Sequence, residues 1–482
     1  MTQFDKRNIS MMTDLYELTM ANGYFLNGNE NDRVAFDVFY RRNPDGGGFA
    51  IFAGLEQVVE LIEGLHFDDE DIDYLRSLGL FDERFLAFLK NFRFTGDVYA
   101  FCEGSIIYPN EPILTIVAPL AQSQLIETAL LTIINHQSLI ATKANRIVRA
   151  AQGRVISDMG ARRAHNLDAA VYGARAAYIG GVANTATVLA GKQFGIPVVG
   201  TMAHSWVMFY ENEYDAFCRY ADIYGSKSVF LVDTYNTLES GVPTAIRVAH
   251  EVLHPRGERL LGIRIDSGDM AYLSKKARRM LDDAGMQDCR ILGSNSLDEF
   301  TISSMLTQGG CIDSFGVGER LITSYSDAMF GAVYKLVAVE RDGHFVPKIK
   351  LSENIGKITN PGLKSVYRIY SEEGQAVADL LTCRDETPDL SVPYTYISPD
   401  KPWQQRQFRH CTAKPLQQLV ISNGQRTMTA PSLDEIRSYV RHQLDTEIWK
   451  EEQRFNNPHA HYLDMSPAYY QLKMNLMQAC KI

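Results

Sequence analysis

The stretch LLGIRIDSGD, residues 260–269, shows the pattern that decides the fold. It is an apolar run without strict alternation that ends in carboxylates, and such a run is typical of a strand covered on both faces. Similar runs recur roughly every 20–35 residues, which is the size of a β–α unit. They cover residues 154–158, 177–180, 196–200, 228–233, 260–266, 290–293 and 313–317. Seven such units predict a parallel barrel or a doubly wound sheet.

The positions of the polar residues favour the barrel. Barrel enzymes build their sites at the carboxyl ends of the strands, whereas an open sheet concentrates ligand groups at one switch point. Here the carboxyl ends of the predicted strands carry Asp158, Arg162, Asn184, His204, Asp233, Asp266, Ser294 and Gly316. We therefore predict an α/β fold in which residues 146–340 form an irregular (β/α) barrel of about seven parallel strands that carries the active site.

The flanking segments have a different pattern. Residues 1–145 predict an N-terminal α/β domain, with a helix N-cap at Thr13, a helix running toward Asn27 and an alternating strand over 34–39. Residues 341–482 predict an extension that is first strand-rich and then helical. We expect this C-terminal extension to pack on the N-terminal domain.

Composition and charge exclude several classes of function. The chain has 482 residues and a formal net charge of −10, which disfavours a nucleic-acid partner bound through phosphates. The sequence has neither an apolar run long enough to cross a membrane nor an N-terminal apolar segment, so we expect a cytoplasmic protein. The seven cysteines form no C-x-x-C pair, which disfavours zinc sites and disulfides. An anionic ligand would have to bind a local cluster of cations.

Acidic residues follow two of the predicted strands. Asp233, Asp266 and Asp269 could hold Mg²⁺ or accept hydrogen bonds from ribose hydroxyls. Asp233 and Asp269 could equally cap the helices that follow them. The tight turn around Gly268 makes a capping role less suitable for Asp266.

Glycine-rich loops end the last two predicted strands, at residues 291–299 and 315–324. Their backbone N–H groups, at Gly293, Ser294, Gly316 and Gly318, could bind a sugar 5′-phosphate, although simple tight turns would have the same sequence.

Two arginines could supply positive charge on the same face. The guanidinium groups of Arg162 and Arg264 fit a carboxylate or a phosphate, or they could pair with a nearby aspartate.

Three further residues could contact a substrate. Asp14 and Tyr16 lie in the first turn of the predicted N-terminal helix, where Tyr16 could stack on a flat heterocycle or belong to the core. His204 could be a structural histidine, a general base or a phosphate acceptor. The neighbouring residues provide no metal-ligand spacing for a zinc site at His204.

Six motifs in order resemble the nicotinate phosphoribosyltransferase family. They are TDLYELTMANGYF (13–25), DMGARRAH (158–165), GTMAHSWV (200–207), VDTYNT (232–237), RIDSGD (264–269) and FGVGERLITS (315–324). The resemblance runs to about residue 370 and includes KLSENIGKITNPGLKSVYR (350–368), whereas the last hundred residues carry little that matches. It implies an ATP-dependent, ligase-type enzyme of NAD biosynthesis. Such an enzyme joins nicotinate to phosphoribosyl pyrophosphate and releases nicotinate mononucleotide and pyrophosphate.

The resemblance also implies roles for individual residues. His204 would carry a phosphoryl group from ATP, Arg264 would face the pyrophosphate or the phosphohistidine, and Asp233 and Asp266 would hold ribose hydroxyls and Mg²⁺. Arg162 would contact the nicotinate carboxylate and Tyr16 would stack on the pyridine. Asp14 and Tyr16 would come from the second subunit of a homodimer with a shared active site. Gly293, Ser294, Gly316 and Gly318 would bind the 5′-phosphate.

Asn184 bears on the choice of substrate. The related nicotinamide enzyme resembles this chain but would carry an aspartate at this position, and an aspartate would repel a carboxylate. Asn184 therefore favours nicotinate, with nicotinamide phosphoribosyltransferase as the alternative. A quinolinate enzyme would need a larger cationic cluster, and a catalytically silent nucleotide-binding barrel is a third alternative.

Overall fold

The computed structural model describes residues 7–391, 393–399, 403 and 405–480. The chain divides into two compact units. The terminal unit comprises the described residues of Met1–Leu139 and Met329–Ile482, and the central unit comprises Ile140–Ala328. The sequence placed the same boundaries at 145/146 and 340/341. The difference at the second boundary arises because residues 333–341 form a strand that pairs within the terminal unit.

The N-terminal part of the chain alternates helices and short strands. The helices are α1 (Leu15–Leu26), α2 (Leu55–Gly64), α3 (Asp69–Ser77), α4 (Glu83–Lys90), α5 (Leu120–Gln124) and α6 (Glu127–Ala150). The strands are β1 (Arg33–Phe39), β2 (Ala50–Ile51), β3 (Asp97–Phe101), β4 (Ile106–Ile107) and β5 (Leu114–Pro119).

The central unit repeats strand and helix. Its strands are β6 (Val155–Asp158), β7 (Asn184–Thr185), β8 (Val229–Leu231), β9 (Gly262–Ile265), β10 (Arg290–Ser294) and β11 (Ser314–Val317). Its helices are α7 (Leu167–Ile179), α8 (Val188–Phe194), α9 (His204–Phe209), α10 (Glu213–Tyr224), α11 (Val242–Val248), α12 (Met270–Asp283), α13 (Glu299–Thr307) and α14 (Glu319–Ile322).

The C-terminal part is strand-rich and then helical, as predicted. Its strands are β12 (Val333–Arg341), β13 (His344–Pro347), β14 (Lys364–Tyr370), β15 (Ala376–Cys383), β16 (Tyr394–Ile397), β17 (Gln405–Phe408), β18 (Thr412–Pro415), β19 (Gln417–Ser422), β20 (Gln425–Arg426) and β21 (Leu463–Met465). Its helices are α15 (Leu433–His442) and α16 (Pro467–Ala479).

Short 3-10 and π segments connect the longer elements. The 3-10 segments are Pro44–Gly46, Ala161–Arg163, Gly225–Lys227, His254–Arg256 and Ile355–Lys357, and the π segments are Thr237–Gly241, Ala249–Leu253 and Gln443–Glu447.

The terminal unit contains two large sheets. An antiparallel sheet has the strand order β13-β12-β1-β5-β3-β19-β20, and a mixed sheet has the order β17-β16-β21-β15-β14-β18. Strands from both ends of the chain alternate in the first sheet, since β1 pairs with β12 and β3 pairs with β19. The C-terminal extension therefore packs on the N-terminal part, which buries a shared apolar core.

The central unit contains one parallel sheet of the order β7-β6-β11-β10-β9-β8. Residues 196–200 add only an isolated parallel bridge between Thr185 and Val198. Within the described residues the sheet thus has six hydrogen-bonded strands and one bridged segment, and it does not close into the predicted seven-stranded barrel. The arrangement corresponds to an open part-barrel in an α/β fold.

One predicted strand of the barrel is wrong. Residues 177–180 form the last turn of α7 and its C-cap, and the second strand lies later, at β7. The helix continues because it packs closely on α6, where a Cβ at Gly180 would lie 2.3 Å from the Ala141 carbonyl oxygen. The prediction was wrong because small alanine side chains suit a closely packed helix as well as a buried strand.

The predicted N-cap of α1 is also wrong by one residue. Asp14 occupies the N-cap position. The hydroxyl of Thr13 instead donates to the buried carboxylate of Glu17 at 2.7 Å.

Among the described residues, no helix combines the length and apolarity needed to cross a membrane.

Candidate active site

The carboxyl ends of β8, β9 and β10 build the centre of the site. These strands are neighbours in the parallel sheet, so the residues that follow them meet at one edge. Asp233 follows β8, Asp266 follows β9, and Ser294 ends β10. His204 begins α9, just after the bridged segment.

Arg264 and Asp266 form an ion pair at the centre of the site. Arg264 Nη2 lies 2.7 Å from Asp266 Oδ1, Nε donates to the Ser294 hydroxyl at 2.8 Å, and Nη1 donates to the Thr201 hydroxyl at 3.1 Å. The Ser294 hydroxyl in turn donates to Asp266 Oδ1. The predicted pairing of Arg264 with an aspartate is therefore present, and it fixes the guanidinium at the strand ends.

His204 lies beside the same aspartate. Its Nε2 is 3.7 Å from Asp266 Oδ2, and its Nδ1 is 3.1 Å from the Thr234 hydroxyl. The side chain is 39% exposed, so it is open to a ligand. A Cβ at Gly200, four residues earlier in the chain, would meet no atom within 4 Å, so there is open space at that position.

The pKa of the Asp266 carboxyl is lowered. Burial alone would raise it, but the Ser294 hydrogen bond, the Arg264 charge and the proximity of His204 outweigh burial. Asp266 is therefore ionised at neutral pH and supplies fixed negative charge to the site.

Asp233 supports the loop after β9. Its Oδ2 accepts from the Asp266 backbone N–H at 2.9 Å and from the Ser267 hydroxyl at 2.5 Å, whereas its buried Oδ1 has no hydrogen-bond partner among the described residues. Asp233 is thus not a helix cap, because Asn236 caps the π segment that follows it. Asp269 does cap α12 by accepting from the Tyr272 N–H, so the capping interpretation is correct there.

The two glycine loops lie on adjacent strands. Leu292, Gly293 and Ser294 of β10 pair with Ser314, Phe315 and Gly316 of β11. Asn295 and Ser296 then adopt positive φ angles of 92° and 47°, so the chain turns sharply where β10 ends. A Cβ at Gly316 would lie 2.5 Å from Met159 Sδ, so this position requires glycine or a shift of the methionine. Gly318 is the N-cap of the short helix α14.

Arg162 and Asn184 lie at the ends of β6 and β7. Arg162 is exposed in the 3-10 turn Ala161–Arg163, and Asn184 pairs with Ser157 in the sheet. The Asn184 Oδ1 atom is buried and has no hydrogen-bond partner in the part of the chain that the structure describes. Between them, Asp158 accepts from the Thr185 hydroxyl and the Gly160 N–H, which fixes the two strand ends together.

Asp14 and Tyr16 belong to the terminal unit. They begin α1, and the Tyr16 side chain is 45% exposed, which excludes the interpretation of Tyr16 as a core residue. The structure leaves the aromatic face of Tyr16 available to a ligand or a partner.

Sequence reasoning missed three hydroxyl residues of the site. Thr234 contacts His204, Thr201 contacts Arg264 and Ser267 contacts Asp233. Each lies within a motif that had been singled out, one to three residues from a charged side chain. In the sequence, a threonine or serine close to a charged residue at a strand end could have indicated that these residues belong to the site.

Three sequence profiles match the chain. The nicotinate phosphoribosyltransferase N-terminal domain matches residues 11–135, the family profile of the same name matches 155–386, and the C-terminal domain matches 363–473. A nicotinate phosphoribosyltransferase of Bacillus subtilis is 43% identical over 99% of this chain and 97% of its own length. One from Caenorhabditis elegans is 32% identical over 96% of this chain and 92% of its own length.

Solved structures agree with the sequence matches. The human nicotinic acid phosphoribosyltransferase superposes with a TM-score of 0.87 at 28% identity, covering 96% of this chain and 99% of that one. A nicotinate-nucleotide pyrophosphorylase from Pyrococcus furiosus has a TM-score of 0.70 at 25% identity, covering 92% and 97%. From its sequence and fold, the chain belongs to the nicotinate phosphoribosyltransferase family.

Proposed function

We propose that the chain joins the pyridine nitrogen of nicotinate to C1 of phosphoribosyl pyrophosphate, and that ATP hydrolysis drives this reaction through a phosphohistidine at His204. The products are nicotinate mononucleotide, a precursor of NAD, and pyrophosphate. The observation that carries the proposal is the partly exposed group of His204, Asp266 and Arg264 at the strand ends, in a chain of this family.

The charges of the site suit the transfer step. Departure of pyrophosphate leaves positive charge at the sugar C1 and negative charge on the leaving group. Preorganised carboxylates stabilise the first, and a fixed guanidinium stabilises the second. Asp266 is held ionised, and Arg264 is held by three hydrogen bonds, so neither group has to reorganise during the reaction.

His204 has no necessary task as a base. The pyridine nitrogen of nicotinate carries no proton at neutral pH and is itself the nucleophile. His204 is therefore free to accept a phosphoryl group, and its exposure and the open space beside Gly200 support this role.

The carboxylates of the site fit a magnesium ion. Mg²⁺ in proteins commonly uses one or two carboxylates, with substrate phosphates and waters as the remaining ligands. Asp233 Oδ1 has no hydrogen-bond partner among the described residues, and Asp266 Oδ2 faces only the His204 ring at 3.7 Å. When bound, Mg²⁺ would neutralise charge on the pyrophosphate.

The ends of β10 and β11 would hold the sugar 5′-phosphate. The backbone amides of Gly293, Ser294, Gly316 and Gly318 are the groups proposed to bind it, since the Ser294 hydroxyl is already engaged with Asp266. Arg162 would bind the nicotinate carboxylate, and its exposure supports this role.

A second copy of the chain would complete the site. Tyr16 would stack on the pyridine and Asp14 would accompany it, both from the partner in a homodimer. An exposed apolar stripe on and before α1 supports this assembly, since such stripes are typical of interfaces. It consists of Met12, Leu15, Tyr16 and Met20.

All seven cysteines are free, which supports a reducing cytoplasm as the compartment.

The test is an assay of mononucleotide formation. The purified chain is incubated with Mg²⁺, phosphoribosyl pyrophosphate and either nicotinate or nicotinamide, with and without ATP. We expect turnover of nicotinate that ATP increases. Turnover of nicotinamide alone would contradict the substrate assignment. Turnover of nicotinate at the same rate with and without ATP would contradict the coupling.

Asn184 provides a sharper test of the substrate. An Asn184→Asp variant adds a carboxylate where the nicotinate carboxylate would bind, and the repulsion should raise the KM for nicotinate about tenfold. Steady-state kinetics measures the effect, and the conservative Asn184→Ser variant controls for loss of the amide. An unchanged KM in Asn184→Asp would remove Asn184 from substrate selection.

A further inference from the structure

The two ring nitrogens of His204 face different groups. Nδ1 lies 3.1 Å from the hydroxyl of Thr234, which follows Asp233 after β8. Nε2 lies 3.7 Å from Asp266 Oδ2, after β9. The ring is therefore held between two adjacent strand ends, with a neutral hydroxyl on one side and a carboxylate on the other.

This asymmetry indicates which nitrogen carries the proton. Asp266 Oδ1 is occupied by Arg264 and Ser294, so Oδ2 is the oxygen left to face the histidine. A carboxylate oxygen accepts hydrogen bonds, whereas a threonine hydroxyl can donate one, so this placement favours the tautomer protonated at Nε2. The lone pair of Nδ1 then accepts a hydrogen bond from the Thr234 hydroxyl.

We propose that Thr234 is a positioning residue that orients His204 for phosphorylation at Nδ1. Its hydroxyl holds the Nδ1 lone pair in the resting enzyme and then turns to donate to an oxygen of the transferred phosphoryl group. The proposal rests on the proposed coupling of ATP through His204.

The chemical step balances without a further proton donor. The Nδ1 lone pair attacks the γ-phosphorus of ATP, and an N–P bond forms. The bond from the γ-phosphorus to the β–γ bridging oxygen breaks, and its electron pair leaves with ADP. The proton stays on Nε2, where Asp266 faces the charge that develops on the ring. In hydrolysis, water attacks the phosphorus and the N–P electron pair returns to Nδ1.

Among the described residues, the Thr234 hydroxyl has no hydrogen-bond partner other than His204. A valine in this position keeps the branched shape and removes the hydroxyl. The loss of one such hydrogen bond should slow phosphorylation about 5- to 10-fold.

The experiment measures labelling of the full chain with γ-³²P-ATP and identifies the phosphohistidine isomer after alkaline hydrolysis. We expect wild type to carry acid-labile label on Nδ1. Thr234→Val should label about 5- to 10-fold more slowly and give a mixture of the Nδ1 and Nε2 isomers, and Thr234→Ser should restore the wild-type rate and isomer. Thr307→Val, on the exposed end of α13, is the matched threonine control.

The outcomes separate the two claims. Wild type without acid-labile label would overturn both the ATP coupling and the role of Thr234. Wild-type label on Nδ1, with the same rate and isomer in Thr234→Val, would overturn the role of Thr234 alone. If thermal unfolding shows that the valine variant is misfolded, Thr234→Ala takes its place with the same expected result.

Discussion

Two groups of arginine, aspartate and histidine in this chain have nearly the same geometry and different surroundings. The site triad comprises Arg264, Asp266 and His204 in the central unit, and the buried triad comprises Arg368, Asp379 and His461 in the terminal unit. In both, an arginine Nη2 lies 2.7 Å from an aspartate oxygen, and the histidine Nε2 lies 3.6–3.7 Å from the same carboxylate.

The buried triad is enclosed and its charges are paired. Its three side chains are at most 1% exposed, and Arg368 binds both oxygens of Asp379. His461 contacts Glu452 at 3.0 Å and stacks on Tyr108 with ring centroids 3.7 Å apart. No substrate can reach such a group without local opening, so we interpret it as structural.

The site triad is open, with Asp266 26% and His204 39% exposed. Residue types and interatomic distances therefore do not distinguish a reactive group from a structural one. The exposure of the histidine and the aspartate does so.

Removal of the two aspartates should affect stability very differently. Asp379→Ala leaves the Arg368 guanidinium buried without its carboxylate, which should cost about 3–5 kcal/mol of unfolding free energy. Asp266→Ala opens a partly solvated site and should change stability by about 1 kcal/mol or less. Urea denaturation measures both, and hydrogen exchange in β15 and β9 assigns each loss to a unit. Equal losses would contradict the comparison.

Replacement of Arg264 in the site triad should affect activity much more than stability. Arg264→Met removes the fixed positive charge of the site and should lower kcat/KM for phosphoribosyl pyrophosphate about 100-fold, while the fold remains intact. Steady-state kinetics and a thermal melt test both statements. Full activity in Arg264→Met would mean that Arg264 has no role in catalysis beyond its ion pair with Asp266.

The smallest expected effect is a pH dependence of stability that arises from His461. Burial alone would lower its pKa, but the nearby Asp379 charge and the hydrogen bond to Glu452 outweigh burial and raise it. The unfolded value is about 6.5, so the imidazolium stabilises the fold fully below about pH 6.5, and this contribution is lost as pH rises through the folded value.

The urea midpoint of the terminal unit should therefore fall as the pH rises above about 6.5, in wild type and in His204→Ala. In His461→Gln the fall should be absent. A fall that persists in His461→Gln would assign the titration to another group.

The sequence predicted the parts of the fold that rest on local periodicity. The strands β6, β8, β9, β10 and β11 fall within predicted runs, and the carboxyl-end residues Asp233, Asp266 and Ser294 lie together as expected. Parallel strands covered on both faces leave a strong local signal, and the topology then brings their ends together.

The rest depends on contacts between distant residues. The alanine-rich end of α7 forms a helix because it packs on α6, and residues 196–200 make one bridge because β7 is only two residues long. The buried triad joins β14, β15 and residue 461, and no local pattern indicates that these segments meet.

The roles of His204 and His461 can be compared in one experiment. His204→Ala and His461→Ala are incubated with phosphoribosyl pyrophosphate, nicotinate and Mg²⁺, and mononucleotide formation is measured with and without ATP. We predict that His204→Ala stays folded and loses the ATP effect, whereas His461→Ala loses stability and its folded fraction keeps the ATP effect. An ATP effect that survives in folded His204→Ala would show that His204 is not the group that ATP phosphorylates.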